Sequence, residues 1–241
     1  MIPPATVGHD GGVETDDRER RLVAAWPLFG LELRANGLTL RLPRDEDAVA
    51  LGHIVHRLLP PEHRHRMPRL MDEARAETAD ATTGNVLRYV WRQRTDAGPE
   101  RWALPLAVRR PGQVVGLQAI HGERFAATRA ISSGSYVDPD QQGCGIGLTM
   151  RAIMLEFAFA HLGATTALSG YIDGNEASRK ISERLGYGPN GTFWLPFGTA
   201  RVRDNSMRLD AERWPDHRPP WLDELEVVGF DATRPLLIGG S

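Results

Sequence analysis

Residues 136–150, YVDPDQQGCGIGLTM, join the end of a strand-like run to the start of a long apolar segment through Gly143, Gly145 and Gly147, three glycines within five residues. The first N–H groups of a helix have no partner in the chain, and the aligned peptide dipoles add partial positive charge beside them. A glycine turn feeding such a helix is a ready phosphate site, because the bare backbone approaches a ligand closely. The spacing of the glycines separates the phosphate ligands that use turns of this kind.

The P-loop pattern GxxxxGK[ST] needs a Lys followed by Ser or Thr, and the turn has neither. The dinucleotide pattern GxGxxG, read from Gly143, meets Leu148 at its third glycine and HLGATT (161–166) where an acid is expected about 20 residues on. Coenzyme A is the third ligand type, and Gln142-Gly143-Cys144-Gly145-Ile146-Gly147 fits the pattern (Q/R)xxGx(G/A).

Outward from the turn, the helix that follows carries Leu148, Ala152, Leu155, Phe159 and Leu162 on one stripe, with Met150, Ile153 and Phe157 covering much of the rest. It is expected to be largely buried. LFGLELRANGLTLRL (28–42) predicts a hairpin about Asn36-Gly37, a dipeptide suited to positive φ. Asp45, Glu46 and Asp47 open a helix whose face carries Ala48, Leu51, Val55 and Leu58, and Pro60-Pro61 ends it. A second helical region covers about 70–95.

Strands are predicted at WALPLAV (102–108), QVVGLQAI (113–120), AISSGSYV (130–137), TTALSGY (165–171), GTFWLPF (191–197) and ARVRDNSMRL (200–209), with a helix in NEASRKISERLGY (175–187). Pro105 makes the first of these edge-like or irregular at that point. Residues 1–20 are expected to be a disordered N-terminal tail, 21–210 the domain, and 211–241 an irregular C-terminal arm laid over it through Trp221, Leu222 and Phe230.

The joint order of strand SGSYVDP, glycine loop, helix, strand ALSGY, then Asn175-x-x-Ser178 and Leu185-Gly186-Tyr187 resembles the GNAT superfamily of acyl-CoA-dependent N-acyltransferases, in its RimJ/RimL-type branch. The resemblance spans about residues 38–210. It implies an α/β (α+β) GNAT fold: a central mixed, mostly antiparallel twisted sheet, splayed at the acyl-CoA site and flanked by helices. It also implies acetyl-CoA as cosubstrate, no metal, and an amine acceptor attacking the thioester directly in a ternary complex.

Carried over residue by residue, Tyr136 and Val137 would pair with the pantetheine arm. The N–H groups of Gln142, Gly143, Gly145 and Gly147 would hold the pyrophosphate, with Cys144 and Ile146 in the same loop. A backbone N–H on SGSYV would stabilise the oxyanion. Asn175 would bond the pantetheine, and Ser178 would return a proton to the departing thiolate, so Tyr136 and Ser178 are the catalytic candidates. Asn175 also reads as a helix N-cap, and the two roles are compatible.

The chain departs from the family at several points. Ser182 stands where many members carry a tyrosine acid, Ser132 where they often carry a glutamate, and no Asp or Glu occurs between Arg184 and Arg203. A base is therefore unassigned; a water chain, His121 or an amine of low pKa would serve, and Tyr171 reads equally as core or as facing the reacting centre. Cys144 reads as filler: no histidine neighbours it in sequence, and the family transfers directly to the amine. PEHRHRMPR (61–69), between the first two helices, reads as a solvated loop or as a selector of acidic acceptors. A non-catalytic acyl-CoA-binding or regulatory module of the same fold is the competing class.

Composition bounds the rest. The chain has 241 residues with 41% apolar content, enough for a packed core. A formal charge of -2 gives no basic field for nucleic acid. A single cysteine rules out an intramolecular disulfide and fits a cytoplasmic setting. No stretch reaches the roughly 20 apolar residues of a membrane helix, and the start MIPPATVGHDGG lacks the regions of a signal peptide. Lys180 is the sole lysine, from which no function follows, and a homodimer is compatible with the sequence.

Overall fold

A computed structural model describes residues 11–239 apart from 59, 60 and 96. Helix α1 (Gly11–Ala25) leads through a 3₁₀ turn into strands β1 (Glu32–Ala35) and β2 (Leu38–Arg41). Asn36 and Gly37 turn the hairpin with φ of 48° and 74°, as that dipeptide predicts. The expected tail is corrected over 11–20, which is helical, while residues 1–10 lie outside the described residues. The helix is anchored because Leu22 and Val23 pack on the core and Glu19 pairs with Arg44.

Helices α2 (Asp45–Arg57), α3 (Pro68–Glu73) and α4 (Ala79–Thr95) follow, then strands β3 (Arg101–Arg110) and β4 (Gln113–Glu123), the short helix α5 (Phe125–Thr128) and strand β5 (Ala130–Val137). Helix α6 (Ile146–Glu156) runs on in π-helical turns to Leu162. Strand β6 (Thr166–Ile172), helix α7 (Glu176–Arg184), strands β7 (Gly188–Phe197), β8 (Ala200–Asp210) and β9 (Glu226–Val228) and helix α8 (Phe230–Ile238) complete the chain.

Among the described residues the strands form one sheet in the order β7-β8-β6-β5-β4-β3-β2-β1-β9, antiparallel throughout except between β5 and β6. Pro105 lies past the end of β2, where β3 has only β4 beside it, so its missing N–H is tolerated.

Two apolar clusters sandwich the sheet. On one face α6 buries Ile146, Met150, Ile153 and Phe157 against Leu104, Leu106 and Ile131. On the other, α2 and α4 bury Leu51, Val55, Val86 and Val90 against Ala107, Leu117 and Ala119. Each fully buried aliphatic of this kind contributes about 1.5–3 kcal/mol. The two helices cross closely at Gly52, where a Cβ would overlap Thr83.

The arm is more regular than its composition suggests. Strand β9 pairs with β1 and extends the sheet, and α8 packs on the α6 face. Leu222 and Phe230 are buried as expected, Trp221 is partly so, and Trp214 and Arg218 both bond Glu156 of α6 at 2.8 Å. Those buried groups and the free edge of β1 impose regularity that local sequence does not carry.

Candidate active site

The parallel pairing of β5 with β6 covers only Ala130–Ser132 against Thr166–Leu168. Beyond it the strands part, because Val137 leads into the glycine turn while Ile172 is held by β8. The ladder with β4 decides which β5 groups face the gap. Asp138 N–H donates to Val115 carbonyl, directly opposite, at 2.8 Å. By alternation Tyr136 exchanges its bonds with Leu117, while Ser135 and Val137 direct theirs toward the gap.

This corrects the expectation for Tyr136. Its backbone is spent on β4, and its ring lies buried on the α2–α4 face, where desolvation holds the phenol well above its ordinary pKa. A ligand strand pairing with β5 meets Ser135 and Val137 instead.

At the end of the gap Gly143 and Gly145 adopt φ of 78° and 80°, and Gly145 is the N-cap of α6. A side chain is strained in that conformation. No side chain caps α6, so its leading N–H groups, from Ile146 and Gly147 on, point outward unoccupied by the chain. Gln142 is a second correction: its N–H turns to Pro139 carbonyl at 3.4 Å and its side chain donates to Val137 carbonyl at 3.1 Å. It fastens the loop to β5 rather than offering a donor. Cys144 is exposed, its Sγ 3.8 Å from Gln142 carbonyl.

Loop and gap open into one cleft of about 1490 Å³ that continues beneath α3 and α4. Asn175 and Ser178 line its α7 wall. Asn175 Oδ1 accepts from Ser178 N–H at 3.3 Å, the N-cap reading. Ser182 is fully buried and accepts from Arg151 Nη1 at 2.8 Å, so it does not substitute for a tyrosine at the cleft surface. Tyr171 lines the cleft while packing on the α6-side cluster. Of the basic run 61–69, Arg66 and Arg69 reach the cleft wall; the histidines His63 and His65 do not line it.

On the opposite face His121 and Asp204 flank the place where the strands part. Burial lowers the His121 pKa, and Arg101 and Arg69 lower it further, all favouring the neutral ring. Asp204 pairs with Ile172 across β6 and β8, and its Oδ1 is buried without a hydrogen-bond partner. That oxygen lies 2.6 Å from the position a Cβ would take at Gly170, so only glycine leaves room for it. Across the gap, a Cβ at Gly134 would meet nothing. Desolvation raises the Asp204 pKa, with Arg69 partly opposing. Asp204 stands one residue past the acid-free stretch noted in the sequence; alternation along ARVRDNSMRL places it with Ser206 on one face, yet only the β6–β8 register brings that face to the gap.

A family model described as "Acetyltransferase (GNAT) domain" matches residues 37–188. Among solved structures, Mycobacterium smegmatis RimJ in complex with CoA-disulfide is 21% identical, with 83% of this chain and 95% of that one covered at a TM-score of 0.64. Ribosomal-protein-S5-alanine acetyltransferase from Vibrio fischeri is 18% identical over 76% of this chain and 98% of that one, at a TM-score of 0.58. A GCN5-related N-acetyltransferase from Brucella melitensis is 18% identical over 78% and 81%, at 0.59. A match across more than half the chain, on a sheet parted beside an uncapped glycine turn, makes this chain a member of the GNAT acetyltransferase family.

Proposed function

We propose that the chain is an acetyl-CoA-dependent N-acetyltransferase of the RimJ/RimL-type branch, transferring an acetyl group to a primary amine by direct attack in a ternary complex. The observation that carries this reading is the parted pair β5/β6, with the Ser135 backbone and the Val137 N–H turned to the gap on one side and an unpartnered carboxylate on the other. The donor's phosphates fit the N–H groups that open α6, and its pantetheine arm fits Ser135 and Val137. The Ser135 or Val137 N–H is then the fixed donor for the oxyanion.

The amine enters from the Gly134–Gly170 face. Its nitrogen lone pair forms the C–N bond, the C–S electrons leave with sulfur, and the proton lost by nitrogen passes to Asp204. The raised pKa of Asp204 suits that task, because a base works best with its pKa nearer the working pH. Ser178, in the α7 wall, returns a proton to the sulfur. A protein N-terminus is the favoured acceptor on the kinship to RimJ/RimL-type proteins, and a small-molecule amine is the other acceptor class.

Ser132 and Ser182, in place of the family's usual glutamate and tyrosine, favour a second reading, an acyl-CoA-binding module without turnover. The deciding experiment pairs thermal shifts with acetyl-CoA, NAD and ATP with thiol release on a panel of N-terminal peptides and small amines. Stabilisation by acetyl-CoA alone and amine-dependent thiol release are expected. Binding without release on any amine supports the module; no stabilisation by acetyl-CoA overturns both.

A further inference from the structure

Among the described residues Arg151 is the one arginine that is more than nine-tenths buried, at 5% exposure. Its Nη1 donates to Ser182 Oγ at 2.8 Å and its Nη2 to Ser135 Oγ at 3.3 Å, while Nε has no partner. No carboxylate of the described residues pairs with it; burial lowers its pKa, and the buried Tyr187 phenol partly opposes this. Asp47, equally buried, is treated differently: Arg41 and Arg109 both pair with it. A buried charge left without a counter-ion is strongly unfavourable, and arginine does not escape the penalty by losing its proton. The site therefore suits an anion that the chain itself does not supply.

Its position identifies that anion. Arg151 lines the cleft from the second turn of α6, and Ser135 belongs to the part of β5 beyond the last pair with β6. An arm laid along β5 from Val137 to Ser133 advances about 13 Å, which carries the thiol end of coenzyme A from the phosphate turn to Ser133–Ser135. When the tetrahedral oxyanion collapses and the C–S bond breaks, sulfur keeps the electron pair, and the negative charge that remains there is the thiolate.

We propose that Arg151, acting through Ser135, stabilises the coenzyme A thiolate as leaving group and holds the product as thiolate. The inference rests on the acyl-CoA reading above. Ser135 accepts from Arg151 and so keeps its own O–H to donate to sulfur. Sulfur then leaves as an anion and takes up a proton only afterwards, from Ser178 or water, which accounts for a serine where a tyrosine acid is usual.

The test needs no acceptor. Wild-type protein is mixed at neutral pH with coenzyme A or with S-methyl-coenzyme A, and the ultraviolet difference spectrum is read for the thiolate band together with the two affinities. The expected result is a thiolate band and about tenfold tighter binding of the free thiol than of the S-methyl form. Both should be lost in R151Q and partly kept in R151K. If neither ligand binds, the acyl-CoA reading falls and this inference with it. If both bind equally without a thiolate band, or the band survives unchanged in folded R151Q, Arg151 has no such role and the acyl-CoA reading stands. Should R151Q not fold, the wild-type spectrum and S135A decide, the latter being expected to weaken the band.

Discussion

In the proposed transfer, Asp204 is the carboxylate that takes the proton on the acceptor side. Its folded pKa lies above its unfolded value, so between the two the folded state binds more protons and stability falls as pH rises through that window. At neutral pH the charge is a cost that Asp204→Asn removes. The variant should therefore melt at the same temperature or higher, while kcat falls by about 10²–10⁴-fold. In wild type the rate should drop as pH falls through the raised pKa, and this limb should vanish in the variant; a variant with unchanged kcat would assign the proton to His121 or solvent. Cys144 is the contrasting residue. Exposed, and with its Sγ turned to Gln142 carbonyl, it should tolerate Cys144→Ala with turnover within about twofold if, as proposed, the loop acts through its backbone.

At the scale of elements, α7 separates structural from chemical roles. Asn175→Ala removes the bond to Ser178 N–H and should cost about 1 kcal/mol in chemical denaturation. Ser178→Ala keeps that cap, so a fall in kcat without a stability change marks chemistry at its hydroxyl. The glycine turn, the hairpin at Asn36-Gly37 and α2 were all legible in sequence because their signals are local: positive φ, acids at a helix start, a 3.6-residue stripe. β9 and α8 were not. Their order comes from a free strand edge and from buried contacts that lie far along the chain.

At the scale of the whole molecule, the C-terminal arm is integral to the α6-side core. Trp102 of β3 is buried, stacks edge-on against Phe125 at 5.6 Å and donates to Leu237 carbonyl of α8 at 2.6 Å. Trp102→Phe should cost about 1–3 kcal/mol by leaving that carbonyl unpaired, and Trp102→Ala about 3–5 kcal/mol through the cavity as well, both read by urea denaturation. No helix of the described residues is long and apolar enough to cross a membrane, and none of their acidic, histidine or cysteine side chains form a group of three placed for a metal.

The sequence alone determined the glycine turn, the helix it feeds and the family, because phosphate binding at a helix start needs a short contiguous run of residues. It also carried Asn175 to the right helix start. Only the tertiary structure decided that Ser135 rather than Tyr136 faces the gap, that Gln142 ties the loop to β5, and that Asp204 and Arg151 meet the same cleft from opposite faces. Those facts depend on ladder register and on packing between segments dozens of residues apart, and a one-residue slip in a strand turns every side chain to the other face.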